Sequence, residues 1–421
     1  LPFIWVFFPL TRPERAKDFS LYAFLSEKKM LYFLNGFFVL IFFSFLITSF
    51  VLTRRNNRNL YKKVNKSFEY EDEELEKRQE LLEEMYTERF GTKEEAISWT
   101  DYPENYTCHI RDPKVWKDGE EYHMILGGRQ KGDKGAVLFY KSEDLKNWTF
   151  DRDLTTENTF GYMWECPDFF TLGDQEVLSV SPQGLTREEY RFQNIYQSGY
   201  FILKDGKPEE KDFREWDYGF DFYAPQTFQD GKGRRIIIGW MGMPDAEEEY
   251  TNKTIDEGWQ HCLTVPRELR VKDGKIFQYP AKELERLRKE KTILDDEKSI
   301  VEVRVEVNEG FDLLIEDIAV TDRSFQISMG GQMLFKYENE IAEIGFSEIA
   351  GAGRNKRKAK VSELNNIRIL ADTSAVELYL NDGEIVFSTR YYPDREDLQL
   401  KVKGGKFRGN LWNLRKMIFT K

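Results

Sequence analysis

The chain from Trp99 onward alternates short apolar runs with turns that contain glycine and aspartate. Three of its segments follow one plan, in which an entry proline is followed by a strand, a tight Asp-Gly or Gly-Asp turn and a second strand. Such turns are typical of β-hairpins. The entry prolines are Pro113, Pro167 and Pro225. A four-stranded sheet that recurs about every 50 residues is typical of a β-propeller blade, so residues 99–290 predict a partial propeller with three recognisable blades.

A second strand-rich region, 295–421, follows a polar linker. Its segments VEVRVEV and VELYL alternate apolar and polar residues, and the turn Asn381-Asp382-Gly383 separates two of its strands. This alternation indicates antiparallel strands with one face packed and the other in contact with water. The sequence therefore predicts an all-β fold in which a C-terminal β-sandwich follows the propeller.

Residues 1–98 differ from the rest of the chain. Residues 31–53 carry no charge and are long enough to cross a bilayer core of about 30 Å, which predicts a membrane span. A cleaved signal peptide is the alternative, but the run exceeds a typical signal-peptide core and lacks a clear cleavage site. Basic residues are denser after the run, which favours a cytoplasmic location for the C-terminal bulk. Residues 57–97 are charged, with leucines at helical spacing, and predict a surface helix.

Composition narrows the possible functions. The formal net charge of -12 argues against a nucleic-acid partner, because binding phosphates requires clustered lysine and arginine. The few cysteines and histidines lack the spacing of a zinc site or a disulfide framework, so we expect no metal and no cofactor. Aromatic residues make up 15% of the chain, which suits a sugar-binding cleft as well as a β-rich core. No sequence feature indicates the oligomeric state.

Acidic residues near the blade entries are candidates for chemistry. Asp112, Glu165 and Asp221 lie at comparable positions in the three repeats, and the innermost strands of a propeller converge on a central funnel. Glycoside hydrolysis needs two carboxyl groups that flank the scissile bond. One acid beside a proline would be expected only to end a strand. Three in corresponding positions favour a catalytic site.

Several segments resemble glycoside hydrolase family 32, which includes invertases, sucrose-6-phosphate hydrolases and levanases. The family's RDP motif occurs at 111–113 and its EC motif at 165–166, followed by SPQG, GFDFYAPQTF and HCLTVPREL in the family's order. The resemblance extends from about residue 100 to the end of the chain. It implies a five-bladed propeller with an appended β-sandwich. It also implies hydrolysis of terminal β-fructofuranosides, such as sucrose, sucrose 6-phosphate or fructans, with retention of configuration.

The resemblance also implies roles for individual residues. Glu165 would be the general acid/base, and its neighbours Tyr162, Trp164 and Phe169 predict an apolar setting for it. Asp112 would stabilise the transition state by accepting hydrogen bonds from sugar hydroxyls. The residues implied in substrate binding are Arg111, Cys166, Asp221, Tyr223 and Trp240.

One family feature is absent from the sequence. The nucleophilic aspartate of the family belongs to an NDPNG-type motif, and no such segment occurs here; the nearest fragment, Asn35-Gly36, lies in the apolar run. No nucleophile is therefore identified. Two alternatives to a fructosidase remain open: a membrane-anchored carbohydrate-binding propeller with impaired catalysis, and a related five-bladed enzyme that acts on arabinan. The expected partner is sucrose or a related fructoside.

Overall fold

The computed structural model describes a β-rich part of the chain. The described residues are 96–98, 101–242, 252–295, 300–306, 310–351, 354–393 and 397–416. The predicted apolar span, 31–53, lies outside them. So does the predicted charged helix, 57–97, except for its last two residues, which are not helical. Among the described residues, no helix combines the length and the apolar character needed to span a membrane.

Three antiparallel sheets coincide with the three predicted blades. The first contains β1 (Tyr106–Asp118), β2 (Glu121–Gln130), β3 (Lys134–Ser142) and β4 (Thr149–Leu154), in that order. The second contains β5 (Met163–Leu172), β6 (Gln175–Gln183), β7 (Gly199–Ile202) and β8 (Arg214–Glu215), also in order. In the third, β10 (Arg235–Met241) pairs with β9 (Tyr223–Gln229), β11 (Cys262–Leu263) and β12 (Arg267–Lys272), and β12 pairs with β13 (Lys275–Pro280). The all-β prediction is confirmed for the described residues.

The sheets pack face to face through apolar cores. Ile125 and Phe139 of the first sheet pack with Trp164 and Leu178 of the second, and a separate apolar cluster joins the second sheet to the third. The backbones approach closely, because a Cβ at Gly127 would lie 2.2 Å from the carbonyl oxygen of Trp164. This stacking brings β1, β5 and β9, the first strands of the three sheets, next to one another.

The C-terminal region forms two six-stranded antiparallel sheets around one core, as the sequence predicts. One sheet has the order β14-β25-β16-β21-β22-β23 and the other β15-β24-β17-β18-β19-β20. The strands are β14 (Arg288–Asp295), β15 (Ile300–Glu306), β16 (Phe311–Val320), β17 (Phe325–Met329), β18 (Met333–Glu338), β19 (Ile341–Phe346), β20 (Lys356–Lys360), β21 (Ile367–Ala371), β22 (Ala375–Leu380), β23 (Ile385–Arg390), β24 (Asp397–Lys403) and β25 (Gly405–Leu414).

The prediction of one wet face is wrong for β22, the strand that contains VELYL. Glu377 and Tyr379 are buried rather than exposed to water, because this side of the strand packs against the third propeller sheet. Successive side chains of β22 point alternately into the sandwich core and towards the interface with the propeller.

A buried arginine connects the third propeller sheet to the sandwich. The guanidinium of Arg267 donates to Glu377 Oε2 at 2.6 Å, to Asp217 Oδ2 at 3.1 Å and to the hydroxyl of Ser388 at 2.6 Å. Its side chain has no solvent exposure. Removing one partner of a buried ion pair typically costs about 3–5 kcal/mol, because the other charge remains uncompensated. The two regions are therefore held together by a fully desolvated polar network.

Glu215, at the end of β8, predicts a pH dependence of stability. Burial raises the pKa of its carboxyl group to about 7, although the amide N–H of Phe192 donates to it at 3.0 Å. The folded state then binds a proton more tightly than the unfolded state, so the free energy of unfolding falls as the pH rises from about 4.5 to 8. Each pKa unit corresponds to about 1.4 kcal/mol and residual solvent contact reduces the total, so we expect a loss of about 2 kcal/mol.

Glu215→Gln should remove this part of the slope in urea unfolding measured at pH 5 and pH 8. The exposed Glu176→Gln on the same sheet is the matched control and should keep the wild-type slope. If both variants have the wild-type slope, Glu215 does not titrate in this range.

Candidate functional site

Each of β1, β5 and β9 contains a bulge at its proline. Moving from Arg111 to Lys114 on β1 advances three residues, while the paired residues on β2 advance only two. The same extra residue occurs between Glu165 and Asp168 on β5 and between Tyr223 and Gln226 on β9. The residue before each proline has a left-handed backbone. These residues are Asp112 (φ 61°), Cys166 (φ 48°) and Ala224 (φ 47°). A bulge redirects the side chains next to it, so all three strands change direction at the same level.

The carboxylate of Glu165 lies where the three strands meet. Its Oε1 accepts from Arg111 of β1, with Nε at 2.8 Å and Nη2 at 2.7 Å. Its Oε2 accepts from Gln183 Nε2 and from the hydroxyl of Tyr223, both at 2.6 Å. The side chain is 15% exposed. Residues from all three propeller sheets therefore position one accessible acid.

The predicted apolar setting of Glu165 is wrong. Trp164 is fully buried in the core between the first and second sheets, where its indole N–H donates to the carbonyl of Phe160. The ring of Phe169 packs edge-on against Phe139 in the same region. Trp164 directly precedes Glu165 in the strand and therefore points to the opposite face. The ring of Tyr162 lies against the guanidinium of Arg129. Polar donors surround Glu165 instead.

Asp112 lies beside this cluster and bonds to the backbone of the next strand. Its Oδ2 accepts from the amide N–H of Cys166 at 2.9 Å and lies 3.6 Å from the Cys166 thiol. Burial raises the pKa of that thiol well above its ordinary range, and the neighbouring carboxylates act in the same direction. Cys166 therefore contributes a backbone donor and a protonated thiol rather than a reactive thiolate.

Trp240 lies next to Tyr223. The two residues are direct partners in the ladder between β9 and β10, so their side chains share a face of the sheet. The ring of Trp240 is half-buried and packs edge-on against His261, with 4.9 Å between ring centroids. Tyr223 thus connects the acid to an aromatic wall.

Asp221 is not part of the cluster. It is fully buried, and its Oδ2 accepts from Arg354 Nη1 at 3.1 Å and from the amide N–H of Arg390 at 2.8 Å, both in the sandwich. The sequence prediction matched Asp221 to Glu165, but counting positions from the prolines gives a different match. The residue two positions before Pro225 is Tyr223, and this residue, rather than Asp221, corresponds to Glu165.

Gln183 belongs to the candidate site, although the sequence did not indicate it. It belongs to the SPQG segment at the end of β6, but no general pattern marks a glutamine as functional. Among the described residues, no group of three or more histidine, cysteine, aspartate or glutamate side chains is arranged to hold a metal ion.

The contact between Tyr223 and Glu165 can be tested by NMR at neutral pH. Burial raises the pKa of the Tyr223 hydroxyl, and the hydrogen bond to the Glu165 carboxylate raises it further, so the hydroxyl is protonated and donates to that carboxylate. Glu165→Gln replaces the charged acceptor by a neutral one and should weaken this hydrogen bond. The measurement is the chemical shift of the Tyr223 ring carbon Cζ, which should move in the variant.

Tyr106 is the internal control, because burial and Asp153, whose Oδ2 accepts from its hydroxyl at 2.7 Å, raise its pKa in the same way. Its Cζ chemical shift should not change in Glu165→Gln. An unchanged Cζ shift of Tyr223 would show that this hydroxyl does not contact Glu165 in solution.

Comparison with known proteins identifies the family. The model described as glycosyl hydrolases family 32 N-terminal domain matches residues 48–280, and that for the family 32 C-terminal region matches 320–414. The first match begins well before the RDP motif and covers more than half of the chain.

Individual relatives agree with the family models. A sucrose-6-phosphate hydrolase from Bacillus subtilis is 41% identical over 304 residues, which cover 69% of this chain and 63% of that protein. A raffinose invertase from Escherichia coli is 35% identical, with coverage of 71% and 65%. The chain thus spans less than two thirds of the length of these relatives.

Solved structures show the same fold. The structure of sucrose-6-phosphate hydrolase from Lactobacillus gasseri has a TM-score of 0.66 at 26% identity and covers 77% of this chain and 69% of that one. The family 32 β-fructofuranosidase BmSUC1 of Bombyx mori has a TM-score of 0.63 at 28% identity, with coverage of 75% and 68%. On the family-model match and on this shared fold, the chain belongs to glycosyl hydrolase family 32.

Proposed function

We propose that this chain acts on terminal β-fructofuranosides and hydrolyses them with retention of configuration. The observation that carries the proposal is the position of Glu165, a partly exposed acid held by residues from three propeller sheets beside a second carboxylate, Asp112. Acid catalysis requires such a group to be fixed next to the leaving oxygen. Sucrose and sucrose 6-phosphate are the proposed substrates, since relatives named sucrose-6-phosphate hydrolase and a sucrose complex of BmSUC1 are similar to this chain.

Glu165 is the proposed general acid and base. In the first step the protonated carboxyl group gives its proton to the glycosidic oxygen as the bond between that oxygen and the fructosyl C2 breaks. C2 then bonds to the carboxylate that retention requires on its opposite side, and the leaving sugar departs with the proton. In the second step Glu165 takes a proton from water as the water oxygen bonds to C2 and the bond from C2 to that opposite carboxylate breaks. Arg111, Gln183 and Tyr223 fix the carboxyl group in both steps.

Asp112 is proposed to hold the fructosyl ring. One of its oxygens already accepts from the backbone of Cys166, which fixes its orientation, and a carboxylate keeps further acceptor sites for sugar hydroxyls. The ring of Trp240 offers an apolar surface for the sugar. The backbone N–H of Cys166 fixes Asp112, whereas Asp221 bonds to Arg354 and Arg390 at the interface with the sandwich.

Retention also needs a carboxylate on the opposite side of C2, about 5–5.5 Å from the acid. The sequence contains no NDPNG-type segment, so a second candidate function is fructoside binding with impaired turnover.

We further propose the domain limits 99–290 for the propeller region and 295–421 for the sandwich. From the denser basic residues that follow the apolar run 31–53, we propose a cytoplasmic location for the glycosidase region.

Glu165→Gln should lower the rate of sucrose or sucrose 6-phosphate hydrolysis by about 10²–10⁴-fold, the usual contribution of a general acid or base. The amide can still accept from Arg111, so binding of the substrate measured by calorimetry should change little. Glu176→Gln, on an exposed position of the same sheet, is the control and should retain wild-type turnover.

The outcomes separate the two functions. Wild-type hydrolysis that is lost in Glu165→Gln supports the enzyme. Calorimetric binding of sucrose by the wild type without hydrolysis supports the binding protein. Turnover that survives Glu165→Gln would place the active site elsewhere.

A further inference from the structure

The residues that follow the three prolines meet at one point. The ammonium nitrogen of Lys114 lies 2.9 Å from Asp168 Oδ2, 3.1 Å from Gln226 Oε1 and 2.5 Å from the carbonyl oxygen of Thr227. Lys114, Asp168 and Gln226 occupy the same position in the three bulges, directly after the proline. One lysine therefore links all three innermost strands.

Asp168 is the buried partner in this contact. Its side chain is 1% exposed, and its Oδ2 also accepts from the amide and the hydroxyl of Thr227, both at 2.8 Å. A buried carboxylate is tolerated only where hydrogen bonds and an opposite charge offset its lost hydration. The ammonium of Lys114 supplies such a charge from a different sheet.

Lys114 cannot also bind a substrate through the same contacts. An ammonium group has three N–H donors, and the three acceptors above use all of them. The side chain is 24% exposed, but all of its N–H donors are already used. Any effect on the reaction must pass through the strands that it connects.

These strands need support at this level. Asp112, Cys166 and Ala224 each have a left-handed backbone before a proline, and such conformations typically cost about 1–3 kcal/mol each unless the surroundings enforce them. The contacts of Lys114 lie two residues along the chain from each strained position. They oppose relaxation of each bulge towards a regular strand.

We propose that Lys114 is a positioning residue that fixes the three bulges and thereby the mutual placement of Arg111, Asp112 and Glu165. This inference rests on the proposed function for its kinetic effect but not for its structural effect. A shift of about 1 Å between catalytic groups can cost about 10²-fold in rate. Loss of the ammonium should therefore lower kcat more than it changes KM.

The test compares Lys114→Met with the double variant Lys114→Met/Asp168→Asn. The single variant leaves a buried carboxylate uncompensated and is expected to be destabilised. The double variant removes that charge, and the oxygen of the new side-chain amide can still accept from Thr227, so urea unfolding should recover most of the wild-type stability. Lys141→Met is the matched control, since Lys141 lies on β3 of the first sheet and pairs with Asp151 at 3.1 Å, away from the bulges.

Two readouts are needed. The first is alkylation of Cys166 by iodoacetamide in a Cys108→Ser/Cys262→Ser background, because Cys166 occupies the strained position of its bulge. In this background, the Lys114→Met/Asp168→Asn variant should react at least about tenfold faster than the protein that keeps Lys114 and Asp168. The reason is that the thiol loses its fixed contact with Asp112. The second is hydrolysis of sucrose 6-phosphate, for which kcat should fall about 100-fold and KM should change less than about threefold.

The outcomes are distinct for the two proposals. A folded double variant with wild-type alkylation and wild-type kcat would overturn the role of Lys114. If the protein that keeps Lys114 hydrolyses no fructoside, the proposed activity is rejected. Faster alkylation in the double variant would still show that Lys114 stabilises the bulges. A Lys141→Met variant that behaves like the double variant would show that the effect is not specific to Lys114.

Discussion

The extra residue in each innermost strand determines where the side chains of the candidate site lie. A proline has no N–H for the ladder, and the residue before it takes a left-handed backbone, so the alternation of side chains is interrupted at that point. Arg111 and Asp112 are neighbours in the sequence, and in a regular strand they would point to opposite faces. At the bulge both reach the second sheet, where Arg111 contacts Glu165 and Asp112 contacts the backbone of Cys166.

Strained backbone of this kind persists only on a rigid support. The support here is the close stacking of the sheets, with Trp164 filling the space between the first two and Gly127 allowing the backbones to approach. Polar contacts between strands add to it, since Lys114 and Asp168 bond across the sheets at the level of the bulges. The site is thus a product of packing between sheets, and no single sheet contains it.

The interface with the sandwich follows a different rule. Arg267 and Arg354 are fully buried there, and each pairs with a carboxylate across the boundary, Glu377 and Asp221 respectively. Buried ion pairs contribute little net stability, but a buried charge without a partner is strongly unfavourable. The two regions can therefore pack only in the arrangement that pairs these charges. This interface fixes the segment that leads into β9, and therefore the position of Tyr223.

The sequence by itself determined the local features: the strands, the hairpin turns, the recurrence of the prolines and the two acids Glu165 and Asp112. Each of these depends on a few adjacent residues. The tertiary structure decided which side chains meet. It directed Asp221 into the sandwich interface and brought Tyr223, Gln183 and the ammonium of Lys114 into place. These contacts join residues far apart in the chain, and their register depends on how whole sheets pack, which no local pattern of residues encodes.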